Sequence, residues 1–131
     1  MNYTDVYTRT GVTPSGLPVI PGVEASGVVL QTGKGVTEVT EGDFLTYTGT
    51  MGAYAERATV PSWRLVKVPD GLSAEDSAAA MLQGSTAHYL SQTIYPIGRG
   101  DTCLVHAGAV SYTHLRSHET AADVVWRLGL G

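Results

Sequence analysis

The sequence predicts an α+β protein, mainly β with helices, whose short strands build a small β-barrel. Three observations carry this. Short stretches alternating apolar with polar residues recur between Gly- and Pro-rich turns from Glu24 to Val68, the pattern of short half-buried strands. A run from Ser73 to Tyr95 opens on a capping serine and places Ala87, Leu90 and Ile94 at three- and four-residue steps, which suits helix. A further apolar run, Thr102-Cys103-Leu104-Val105-His106, reads as a buried strand.

In order along the chain, Asn2 to Gly11 is short, polar and aromatic. Thr4-Asp5-Val6-Tyr7 forms a helical turn and Gly11 ends it. By itself the segment reads as a surface turn with exposed tyrosines. Thr13 to Pro18 is a loop dense in turn residues. Pro21-Gly22 then turns the chain into a strand from Glu24 to Thr32. Small Ser26 and Gly27 imply another backbone, or a ligand, packed over the first half of that strand. Glu24 is a lone acid at its entrance, and such an acid is ordinarily solvated or salt-bridged. Gly33-Lys34-Gly35 is a tight hairpin-like turn. It is no phosphate loop, because neither a following helix nor a Lys-Ser pair accompanies it.

Glu41-Gly42-Asp43 reads as a turn, Phe44 to Tyr47 as the next strand, and Ala53 to Val60 and Arg64 to Val68 as half-buried strands. Pro69 to Leu72 closes the barrel. Ser73 is the N-cap of a helix with Glu75 and Asp76 in its first turn. Gly84 is expected to break it, and a second helix is expected from Ser85 to Tyr95, stopped by Pro96. That division puts Thr86 in a first turn, where free backbone N–H groups favour an anion. The competing reading is a capping or back-bonded threonine. His88 has no second ligand at metal spacing and is a helix-face histidine.

Composition narrows the function. The 131 residues suit one domain, with 43 % hydrophobic and 15 % charged side chains. A net charge of −4 provides no basic field for nucleic acid or anionic membrane. The single cysteine, Cys103, cannot close an internal disulfide, so a reducing cytoplasm is the default. No apolar run reaches the roughly 18 residues of a membrane span, and the N-terminus lacks a signal-peptide pattern.

Five segments in register resemble a known family: Asn2 to Gly11, Pro21 to Leu30, Gly33-Lys34-Gly35-Val36, Glu41-Gly42-Asp43, and Gly52-Ala53-Tyr54-Ala55-Glu56. Together they resemble the N-terminal GroES-like catalytic domain of the medium-chain dehydrogenase/reductases, in the zinc-free quinone oxidoreductase branch. The resemblance runs over roughly residues 1 to 109. It implies a GroES-like barrel truncated before the Rossmann domain, with a shortened N-terminus. The implied activity is hydride transfer from NADPH to a quinone or electron-poor alkene by a full-length parent, a homodimer, with the truncated chain itself inactive. Asn2, Tyr7, Gln83 and Thr86 fall where relatives bind the cofactor, and Tyr7 also borders the reacting centre. No metal is implied: relatives with catalytic zinc place Cys at the position of Asn2 and His at that of Val23, and their structural zinc needs four cysteines. An enoyl-thioester reductase shares these motifs. A purely structural, co-chaperonin-like barrel is the alternative outside enzymes, but it needs neither the 85–95 helix nor the strand that leads to Gly108.

The resemblance divides the chain into 1–95, the GroES-like domain; 96–109, the first strand of a Rossmann domain; and 110–131, a non-native tail. Ser111 to Thr120 closely resembles a translated sequencing adapter, apart from Ser117. Two other readings of the tail are a helix over Ala121 to Leu128, and a metal pair from His114 and His118, which lacks a third ligand.

Overall fold

A computed structural model describes residues 2–14, 16–98, 102–106 and 123–127. The chain forms two compact units, Met1–Met81 and Leu82–Gly131.

The first unit begins with helix α1, Tyr3–Thr10. Asn2 stands before it with extended backbone, and Gly11 ends it at φ 77°, a left-handed conformation that glycine adopts without a Cβ penalty. The expected short helix and its stop are both present. A three-stranded antiparallel sheet follows, in the order β1 (Glu24–Val28), β2 (Phe44–Thr48), β3 (Val66–Lys67). Glu24 lies opposite Thr48 and Val28 opposite Phe44 across β1 and β2. Thr46 lies opposite Val66 on the other side. β1 is shorter than the expected Glu24 to Thr32. Its pairing nonetheless runs on through Val29, which exchanges backbone bonds with Asp43 and Gly42 at 2.9 Å each.

β2 is the centre of this unit. Leu45, Thr46 and Tyr47 are buried in succession, so both faces of the strand are covered. Leu45, Tyr47 and Val39 supply the apolar core. The face bearing Thr46 is polar, and the Thr46 hydroxyl is bonded there. Ser26 Oγ and Ser77 Oγ lie 2.7 Å apart, and the Thr46 hydroxyl reaches the carbonyls of Ala25 at 3.0 Å and Ser77 at 3.3 Å. These bonds fix the start of helix α2, Ala74–His88, against the sheet. Ser73 caps that helix as expected, accepting from the Asp76 N–H at 3.0 Å.

Three expectations are corrected here. Ala53 to Val60 forms no strand. The N–H groups of Ala53 and Tyr54 instead bond the carbonyls of Gly22 and Pro21, at 3.2 and 3.0 Å, and the chain bends away after those two bonds. The start of α2 packs over Ser26 as expected, with Ser77 Oγ 2.7 Å from Ser26 Oγ, but the close approach expected at Gly27 is absent, since a Cβ there would meet nothing within 4 Å. It occurs at Gly22, where a Cβ would lie 2.6 Å from the Tyr54 ring and the backbone has φ 93°. Gly84 does not break the helix: α2 runs through it from Ala74 to His88. An interior glycine costs a helix about 1 kcal/mol relative to alanine, which packing and the neighbouring residues outweigh.

In the second unit, α2 continues into a π-helical turn at Tyr89–Ile94, just before Pro96. Strand β4, Thr102–His106, is present where expected and pairs antiparallel with β5, Asp123–Arg127. The reading of a helix across Ala121 to Leu128 is therefore corrected for Asp123–Arg127. Val124, Val125 and Trp126 are strand formers, and the period-3.6 pattern was too short to decide. The expectations for Gly108 and for the adapter-like string Ser111 to Thr120 lie outside the described residues.

Candidate functional site

The N-terminal edge of the first unit gathers polar side chains from three separated segments. At their centre is Asp5, on the first turn of α1 and only 2 % exposed. One of its oxygens accepts from the backbone N–H of Asn2 at 2.8 Å and from the Tyr54 hydroxyl at 2.9 Å. The other accepts from the backbone N–H of Gly22 at 3.0 Å. Burial pushes the Asp5 carboxyl up, but the bonds from Asn2, Tyr54 and Gly22 outweigh it and hold the group below its ordinary value. The Tyr54 hydroxyl is pushed up, by burial and by the carboxylate it bonds.

Asn2 lies beside this centre. Its side-chain amide donates to Glu24 Oε1 at 2.7 Å. Glu24 thus accepts a hydrogen bond from a neutral amide. Tyr7 is on α1, the helix that Asn2 precedes; it is 42 % exposed, and its ring meets that of Tyr3 edge-on with centroids 5.4 Å apart. The structure therefore brings Asn2, Glu24 and Asp5 into one bonded cluster and leaves the Tyr7 ring open on α1.

Gln83 and Thr86 belong to the second unit, three residues apart on α2 and so on one face of it. The position expected for Thr86 is corrected. It lies deep in a continuous helix, not in a first turn, and donates its hydroxyl proton to the Leu82 carbonyl at 2.7 Å. Backbone N–H groups at that depth are already bonded within the helix, so Thr86 offers no anion site. Its remaining capacity is that of a hydrogen-bond acceptor.

A sequence model of the alcohol dehydrogenase GroES-like domain matches residues 1–70. The chain belongs to this GroES-like family. A probable quinone oxidoreductase of Schizosaccharomyces pombe is 43 % identical over 110 residues, 83 % of this chain and 33 % of that protein. A 2-haloacrylate reductase of Burkholderia is 37 % identical over 88 % of this chain and 37 % of its own length. Among solved structures, Escherichia coli quinone oxidoreductase complexed with NADPH superposes with a TM-score of 0.74 at 33 % identity, over 77 % of this chain and 32 % of that one. A mycobacterial protein complexed with NADPH gives 0.78 at 45 %, over 83 % and 34 %. The GroES-like chain thus spans about a third of the length of the relatives it matches.

Two residues of the GroES-like cluster escape the sequence reading. Asp5 passes for part of an ordinary helical turn, and Tyr54 for a strand residue. The signal for Asp5 was its place three residues after Asn2, the spacing at which an N3 acid reaches back to the N-cap N–H. Nothing local signals Tyr54, whose partner is 49 positions away. Among the described residues, no three His, Cys, Asp or Glu side chains gather as a metal set. No described helix is long and apolar enough to cross a membrane.

Proposed function

We propose that this chain is the N-terminal part of a reductase that transfers hydride from NADPH to a quinone or an electron-poor alkene. The observation that carries the reading is the likeness to Escherichia coli quinone oxidoreductase complexed with NADPH. Similarity to a 2-haloacrylate reductase favours including electron-poor alkenes among the acceptors.

The donor set suits a nicotinamide. Asn2 carries an amide, which offers both a donor and an acceptor to the carboxamide of the cofactor, and its bond to Glu24 fixes the amide's orientation. Thr86, its proton committed to Leu82, accepts from an N–H or O–H of the cofactor and does not bind a phosphate. Gln83 lines the same face of α2. Tyr7, the residue assigned to the reacting centre, borders the acceptor with its ring. When bound, NADPH supplies the hydride. The protein supplies orientation and excludes water, and a quinone accepts hydride readily enough to need no dedicated general acid. The full-length enzyme is read as zinc-free, cytoplasmic and homodimeric. The division 1–95, 96–109 and 110–131 belongs to the same reading.

The full-length protein, purified and supplied with NADPH, should turn over a quinone faster than an enoyl-thioester and contain no stoichiometric zinc. Faster turnover of the thioester would instead favour the enoyl reductase, and no turnover of either would reject the reading. Thr86→Ala should weaken NADPH binding by about 1 kcal/mol, the size of one hydrogen bond. An unchanged dissociation constant would remove Thr86 from the site.

A further inference from the structure

Hydrogen bonds on both its backbone and its side chain tie Asn2 in place. Its backbone N–H donates to Asp5 at 2.8 Å, and its side-chain amide donates to Glu24 at 2.7 Å. Glu24 itself depends on the turn at Pro21-Gly22, and the N–H of Gly22 donates to the other Asp5 oxygen at 3.0 Å. Both ends of the Asn2–Glu24 bond therefore hang on one carboxylate. The Tyr54 hydroxyl, 2.9 Å away, completes its shell. A carboxylate 2 % exposed is costly to bury unless its lone pairs are filled, and here backbone and phenol donors fill them.

We propose that Asp5 is a positioning residue: by holding the backbones of Asn2 and Gly22 together, it fixes the Asn2 side-chain amide against Glu24 in the orientation used for the nicotinamide. Asp5 touches neither cofactor nor acceptor and acts through Asn2. This rests on the functional reading of Asn2 given above. Asp5→Asn keeps the size of the side chain but replaces one acceptor oxygen with an N–H₂ group that faces donors. The Asn2 backbone then loses its fixed place, and small misplacements of a reacting pair are expensive in rate.

The test uses the full-length enzyme with NADPH carrying hydrogen or deuterium at C4. Asp5→Asn is compared with wild type and with Asn2→Ala, and thermal unfolding is followed in parallel. The expected result is a fall in kcat of about 10-fold or more for Asp5→Asn, with a larger isotope effect as hydride transfer becomes limiting, and Asn2→Ala slowed in the same way. Mere loss of folded enzyme lowers the apparent rate but leaves the isotope effect and KM unchanged, and that outcome overturns the positioning role. If Asn2→Ala is slowed and Asp5→Asn is not, the role fails while the functional reading stands. If Asn2→Ala is itself unaffected, the functional reading of Asn2 fails and takes the role of Asp5 with it.

Discussion

Around Asp5, hydrogen bonds join residues 3, 17 and 49 positions apart. At Thr86 the side chain bonds a carbonyl one helical turn away. The first arrangement exists only when α1, the Gly22 turn and the Tyr54 bend are all in place. The second exists wherever the helix exists. Geometry of the first kind is rigid because several segments over-determine it, and for the same reason a single side chain can undo it. Geometry of the second kind tolerates change, since each bond reports only on its own turn.

The contrast can be broken by substitution. Asp5→Ala leaves two backbone N–H groups and one hydroxyl without their acceptor, and is expected to cost about 3 kcal/mol or more of stability. A loss within about 0.5 kcal/mol in chemical denaturation would mean that water replaces the carboxylate and that the cluster is not a unit. Gly22→Ala forces a Cβ into the Tyr54 ring at a residue with φ 93°. It should cost about 1–3 kcal/mol, and pairing it with Tyr54→Ala should recover part of that loss. No recovery would place the cost in the backbone conformation and in the contacts with Ala53 Cβ and Tyr54 N, each 2.9 Å from the new Cβ. Gly84→Ala works in the opposite direction. A Cβ there meets nothing within 4 Å and the helix is continuous, so the change should add about 0.5–1 kcal/mol. A measured loss would mean that the helix does break at Gly84.

What could be read from sequence follows the same division. The stop at Gly11, the strand at Phe44 to Tyr47 and the cap at Ser73 are local features. Each is signalled by residue types within a few positions, and each is found in the structure. Glycine misled in both directions. Gly84 looks like a breaker but sits in a helix whose other residues hold it, while Gly22 looks like an ordinary turn glycine but is where two segments meet. The strand expected at Ala53 to Val60 fails because its first N–H groups are taken by the Pro21-Gly22 turn, a competition invisible in alternation alone. Asn2 and Tyr7 were found through resemblance. Asp5 became visible only in three dimensions, since its partners lie in segments that no short window joins.

The most direct test of the Asp5-centred cluster is the titration of Asp5 itself, followed by the ¹³C signal of its carboxyl carbon. Filled by two backbone N–H groups and a phenol, it should titrate below 3.8, its ordinary value. The sign for stability follows. A carboxyl whose pKa is depressed by folding contributes stability that is fully present above its unfolded value, and loses it as pH falls through the folded one. Acid unfolding should therefore be steepest below about pH 4, and Asp5→Asn should flatten that dependence. A carboxyl that titrates at or above its ordinary value would contradict the account, because burial would then prevail over the three bonds and Asp5 would not be the charged centre that holds Asn2 and Gly22 together.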